Sequence, residues 1–162
     1  ANAVYQSKKF IKKYQKIMVI WGDHIGVAKS TILKVCAMKI KNNTLILPVV
    51  KKKNLYVQFQ FNKNKLVKIK ERREGDECDK IGFSDVGTFV FQSKHFLSFL
   101  QKFKSQNILG KVTKEQNFLP FLFFLSKKKW LVKKVIFKNS IQSHGINTRL
   151  DIKTFKKIYE KN

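Results

Sequence analysis

Three features of the sequence predict an α/β domain, with a mostly parallel sheet flanked by helices and an antiparallel β-hairpin inserted into it. Apolar runs of strand length recur at 17–22, 44–50, 83–91 and 130–137. The segments between several of them carry apolar residues three and four apart, as amphipathic helices do. Alternating stretches at 56–61 and 66–69, joined at 62–64, interrupt that rhythm as a hairpin with one wet face. With 162 residues, 43% of them hydrophobic, the chain can bury one core, so a single domain over 1–162 is expected.

In chain order, Val4, Phe10, Ile11, Tyr14 and Ile17 mark a helix already under way at Ala1. No Met precedes it, which suggests a piece of something longer. Residues 17–21, IMVIW, are all apolar, as in a strand covered on both faces, and the run stops on Gly22-Asp23. Ligand crevices of open α/β sheets lie beyond the carboxyl ends of strands, so Asp23 either faces such a crevice or simply begins a turn. Ser30 or Thr31 then caps a helix bearing Ile32, Leu33, Val35, Cys36 and Met38. The strand at 44–50 ends, or lies on an edge, at Pro48. Residues 71–79 gather five of the ten acids without EF-hand spacing and read as a solvated loop.

Gly87 inside the strand 83–91 permits close approach of a ligand or another backbone. A short helix starts near Ser93, where His95 among Phe96, Leu97 and Phe99 favours a structural over a catalytic reading. Pro120 falls in the first turn of an apolar helix, the one part of a helix that tolerates it. A strand at 130–137, a loop and an amphipathic helix from about Asp151 complete the chain.

The formal charge of +25 suits a polyanionic partner, but the lysines are spread along the chain, as in one that is simply Lys-rich with solvated faces. Cys36 and Cys78 have no CxxC partner, consistent with a reducing, cytoplasmic setting. The densest apolar run, at 118–125, is far shorter than the ~18–20 residues that cross a bilayer, and no signal-peptide pattern opens the chain, so no membrane partner is expected.

Two strand-to-helix loops carry hard oxygen donors: Trp21-Gly22-Asp23 after the first strand and Gly145-Ile146-Asn147-Thr148 after the last. An Asp and an Asn meeting across one crevice can share a Mg2+ that keeps waters and takes up substrate phosphates. With these loops in view, six segments in order resemble the sugar-1-phosphate nucleotidyltransferases. ANAVYQSKKF is similar to the helix after that family's Gly-Thr, IMVIWGD to its Y-G-D strand, and KIKER to its strand x-I-x-E-x-K/R. FSDVGTFVF occupies the place of its N-T-G-I strand, EQNFLP resembles its E-x-x-L-T/P helix start, and GINTRLD resembles its G-V-N-x-R-x-[DQ] loop. The likeness is to the later two-thirds of the uridyltransferase domain that makes UDP-N-acetylglucosamine, and to MobA-like NTP transferase domains.

The resemblance implies a Rossmann-like fold lacking its N-terminal nucleotide-binding strands and their Gly-rich loop. It implies that Asp23 and Asn147 hold Mg2+, that Trp21 and Gly22 line the nucleotide and sugar cleft, and that Glu71 accepts hydrogen bonds from the sugar ring. Read without the family pattern, Glu71 is a surface acid among Lys70, Arg72 and Arg73. Asp85 stands where the uridyltransferases have an Asn facing the sugar, and Val57 where they have a glycine beside the N-acetyl group. Those two substrate-binding departures leave N-acetylglucosamine itself open to question, with a related sugar phosphate or another acceptor as alternatives. The implied partners are an NTP, UTP first, and a sugar-1-phosphate, joined with release of pyrophosphate, and the chain alone is expected to be inactive. No acyltransferase repeat domain is present in these residues. A basic nucleic-acid-binding module, less favoured because most Phe fall at core positions, and a non-catalytic remnant of the transferase fold remain as alternatives.

Overall fold

The computed structural model describes residues 1–160. A seven-stranded sheet is organised around β2 (Thr44–Lys53). The first part of β2, TLILPVV, is buried throughout because helices cover both of its faces. One edge of β2 carries β7 (Leu131–Phe137) in parallel, from Thr44 opposite Leu131 to Val50 opposite Phe137. The other edge is shared by two strands, β6 (Thr88–Gln92) beside Leu45 and Ile46, and β5 (Ile81–Asp85) beside Val49 to Lys53.

β5 and β6 are one strand broken at Val86-Gly87, where Gly87 takes a φ of 69°. At that break the sheet forks. β6 continues to β1 (Lys16–Ile20), whereas β5 continues to the hairpin of β3 (Val57–Asn62) and β4 (Lys65–Glu71). The Trp21 N–H, just past β1, donates to the Gly87 carbonyl at 2.8 Å and holds the fork at its apex.

The mostly parallel, Rossmann-like sheet expected from the sequence is therefore corrected to an antiparallel one. Among the described residues only the β2–β7 pairing is parallel. β1 and β2 do run the same way, as an intervening helix requires, but β6 lies between them and takes the hydrogen bonds of both. Pro48 is neither the end of β2 nor on an edge strand. On the forked side it falls between the residues that pair with β6 and those that pair with β5, so its missing N–H removes no ladder bond there.

Helices α1 (Asn2–Gln6) and α2 (Lys8–Ile11) divide the expected N-terminal helix at Ser7, and Ile17 belongs to β1. Helix α3 (Lys29–Ala37) starts after Ala28 with no side-chain cap. Thr31, expected as a cap, is buried instead. Helices α4 (Phe96–Ser105) and α5 (Leu119–Lys127) pack on the sheet face that presents Leu45, Leu47 and Val49, while Val35 of α3 meets Ile46 and Val90 on the opposite face. The alternation of β2 thus feeds two cores. The larger is aromatic, with Phe91 and Phe96 4.7 Å apart and Phe103 and Phe121 5.5 Å apart.

His95 has a structural role: its Nδ1 lies 2.8 Å from Asn43 Oδ1, tying the start of α4 to that of β2. Among the described residues no helix is long and apolar enough to cross a membrane.

The acidic stretch after β4 is an anchor more than a free loop. The Glu74 carboxylate accepts from the Val112 N–H at 2.9 Å, the Thr113 hydroxyl at 2.6 Å and Asn117 Nδ2 at 2.9 Å, pinning the segment that leads into α5. The Thr113 hydroxyl and the Val112 N–H hold its carboxyl down at about 2, against an ordinary 4.5. A carboxyl lowered in the folded state stabilises at pH values above its unfolded pKa, and that stability is lost as pH falls through the folded one. The melting temperature of the parent is expected to exceed that of Glu74→Gln at pH 5, with the gap closing between pH 4.5 and about 2. A gap that stays constant with pH contradicts the anchor.

Candidate active-site cleft

A cleft of about 770 Å³ opens at the fork of the sheet. Trp21 enters it from the end of β1, held edge-on between Phe89 at 5.3 Å and Phe118 at 5.5 Å. Asp23 follows on an exposed turn. Its backbone carbonyl accepts from the Ile146 N–H at 2.9 Å, so the two loops singled out in the sequence are joined directly. A Cβ built on Gly145 would lie 2.8 Å from Asp23 Oδ2 and 3.4 Å from Asn147 Nδ2. The absent side chain of Gly145 is therefore the space in which the Asp23 and Asn147 side chains converge.

Asp151 fixes the second loop. Its Oδ2 accepts from the N–H groups of Asn147 and Thr148 at 3.0 and 2.7 Å, and the Thr148 hydroxyl in turn caps the Asp151 N–H at the start of α6 (Arg149–Tyr159). Its other oxygen lies 2.8 Å from His144 Nε2. The His144 bond, followed by the backbone donors, holds the Asp151 carboxyl well below the usual carboxylate range. Asn147 thus sits on a rigid platform while its own side chain stays exposed.

Asp85, the last residue of β5, forms the floor. It is buried, and its Oδ1 accepts from the Gly87 N–H at 2.6 Å. Burial pushes its carboxyl up, opposed by the nearby His24 and by that N–H. The His24 ring packs so closely on Gly87 that a Cβ there would collide with it. Its Nδ1 is buried without a hydrogen-bond partner in the protein.

Glu71, at the end of β4, is also buried, and burial raises its carboxyl against the opposing pull of Arg73, whose Nε donates to it at 3.0 Å. Half-buried Lys52 supplies the second cation. Desolvation lowers its ammonium, offset in part by Asp85.

Of the sequence-predicted residues, Trp21, Asp23, Val57, Glu71, Asp85 and Asn147 all line this one cleft. Gly22 does not line it. It is exposed, and a Cβ on it would meet nothing within 4 Å. His24, Lys52, Arg73 and Asp151 also line the cleft and were not singled out. Arg73 and Asp151 lie within or beside the motifs KIKER and GINTRLD, whereas Lys52 is hidden in a run of three lysines.

The charge distribution is uneven. Five of the ten acids in a chain of net charge +25, namely Asp23, Glu71, Asp85, Glu115 and Asp151, line the cleft. Among the described residues no group of three or more His, Cys, Asp or Glu is placed to ligate a metal. One carboxylate and one amide around the Gly145 hollow suit a hard divalent cation that retains most of its waters.

No protein-family profile matches the chain, and no curated protein sequence does. Among solved structures the chain is similar to the inositol-1-phosphate CTP transferase from T. maritima, with a TM-score of 0.61 and 20% identity over 98% of this chain. It spans 59% of that transferase's length. The chain therefore shares the fold of that nucleotidyltransferase.

Proposed function

We propose that the cleft is the sugar-phosphate side of a Mg2+-dependent nucleotidyltransferase, which joins an NTP and a sugar or polyol 1-phosphate to give a nucleotide-linked product and pyrophosphate. The observation that carries this reading is the gathering of half the chain's acids around the paired Asp23 and Asn147 loops. Carboxylates are acceptors only, which suits a ligand rich in hydroxyl donors. Glu71 and Asp85 take that part, with Val57 and Trp21 as apolar walls and the turn at Gly22 carrying Asp23.

Asp23 and Asn147 would hold the cation, which when bound offsets the charge of the phosphates. An oxygen of the acceptor phosphate attacks the α-phosphorus in line, the bond from that phosphorus to the bridging oxygen breaks, and pyrophosphate leaves with the electron pair. The acceptor is already an anion, so no residue need remove a proton. Lys52 and Arg73, beside Asp85 and Glu71, add positive charge to the cleft that receives an anionic acceptor, and the cleft aligns attacker and leaving group. The chain's own turnover is a separate matter, because it covers 59% of the transferase whose fold it shares.

Thermal melting with a panel of UDP- and CDP-linked sugars and polyols tests the reading. A ligand at about a hundredfold its Kd stabilises by about 2.7 kcal/mol. At least one member of the panel is expected to raise the melting temperature in Mg2+ and not in EDTA. A panel without effect in either condition overturns the proposal.

A further inference from the structure

A second concavity of about 980 Å³ lies at the opposite end of β1 from the cleft, separated from it by the length of the strand, about 17 Å. Its charge is the reverse of the cleft's. Five of its eleven lining residues are lysines, Lys12, Lys13, Lys16, Lys41 and Lys94, with no acid among them, whereas Lys and Arg together make up 35 of 162 residues in the chain. Like charges converging on one hollow repel each other, and an anion relieves that repulsion.

The hollow is built on fixed parts. Lys16 Nζ donates to the carbonyls of Cys36 at 2.6 Å and Met38 at 2.9 Å, at the C-terminal end of α3, and the Ser93 N–H donates to the Gln15 carbonyl at 2.9 Å. Two uncovered rings flank it. Tyr14, 62% exposed, lines the hollow itself, and Phe10, 65% exposed, lines an adjoining apolar concavity that shares Tyr14 and Lys16 with it. Phe10 is the one phenylalanine among the described exposed large hydrophobics, the others being taken up by the cores.

We infer that residues 8–16, with Lys41 and Lys94, form a binding surface for single-stranded nucleic acid, the lysines meeting phosphates and the rings of Phe10 and Tyr14 stacking on bases. A basic groove flanked by exposed aromatic rings is the arrangement that favours a single strand, whose bases are free to stack, over a duplex. This surface is independent of the transferase cleft.

The test is fluorescence anisotropy with a labelled oligothymidylate of about twenty nucleotides, as a single strand and as a duplex, across salt concentrations. The parent is expected to prefer the single strand. Exchanging Lys12, Lys13, Lys41 and Lys94 for Gln is expected to reduce the steepness of the log affinity against log salt plot by about 3, at roughly 0.7 per phosphate contact. Lys16 is left in place because it closes α3. Phe10→Ala with Tyr14→Ala is expected to weaken single-strand binding about tenfold or more at unchanged salt steepness.

As a control, Gln at the exposed Lys65, Lys68, Lys127 and Lys153 is expected to leave affinity within about twofold. The altered side chains are exposed, and circular dichroism melting checks each variant. The pair Lys12→Gln and Lys13→Gln replaces the fourfold variant if that one melts early. Equal losses in the hollow and control variants overturn the assignment. So does loss that depends on the lysines but not on the rings, with inorganic polyphosphate competing as well per phosphate as the oligonucleotide.

Discussion

Gly87→Ala is expected to destabilise the fold by about 3 kcal/mol. Alanine in the left-handed region costs on the order of 1–2 kcal/mol, and forcing its Cβ into the His24 ring adds about 1–3 kcal/mol of overpacking. The two contributions are separable. His24→Ala in the Gly87→Ala background removes the clash and leaves the backbone cost, so the double variant is expected to be more stable than Gly87→Ala alone. Urea denaturation of the parent, both single variants and the double variant gives the coupling. A Gly87→Ala protein as stable as the parent would mean that the fork is not held by this turn.

The second large effect is one of binding without stability. In Gly145→Ala the new Cβ meets Asp23 Oδ2, the end of a flexible side chain, which can swing aside at little cost. Melting in the absence of ligand is expected to stay within about 0.5 kcal/mol of the parent. The Asp23 carboxylate, however, leaves the space it shares with Asn147. Affinity for a nucleotide-linked sugar in Mg2+ is then expected to fall about 10–100-fold, the range seen when the support of a metal ligand is disturbed. Titration calorimetry of the two proteins measures it, and equal affinities would show that the Gly145 hollow holds nothing.

The parts of the cleft legible in the sequence were those set by local pattern. Asp23 and Asn147 each follow an apolar strand and precede a helix, and such ends of strands can be read from a few neighbours. The order of strands is not local. Nothing near residues 17–22 or 44–50 says that β6 will come between β1 and β2, because that depends on the kink at Val86-Gly87 and on the register it gives Leu45 and Val49. Gly87 was legible as a place of close approach but not as the fork of the sheet, since the ring that approaches it belongs to His24, far away in the chain. Pro48 gave the opposite signal for the same reason: its tolerance in the central strand rests on a gap between two distant pairings. Thr31 looked like a cap because its type suits one, yet the fold buries it and starts α3 at Lys29 without a side-chain cap. Lys52 could not be told from Lys51 and Lys53 until the alternation of β2 turned it, and neither neighbour, toward the cleft.

In the proposed cleft, Asp23 and Asn147 together would hold a divalent cation at the fork. Mn2+ in place of Mg2+ allows free and bound ion to be counted by electron paramagnetic resonance in the presence of the UDP- or CDP-linked sugar or polyol that raises the melting temperature. The parent is expected to take up a single Mn2+, and Asp23→Ala and Asn147→Ala are each expected to lose it while melting as the parent does. Mn2+ uptake by both variants at the parent's affinity would contradict the account.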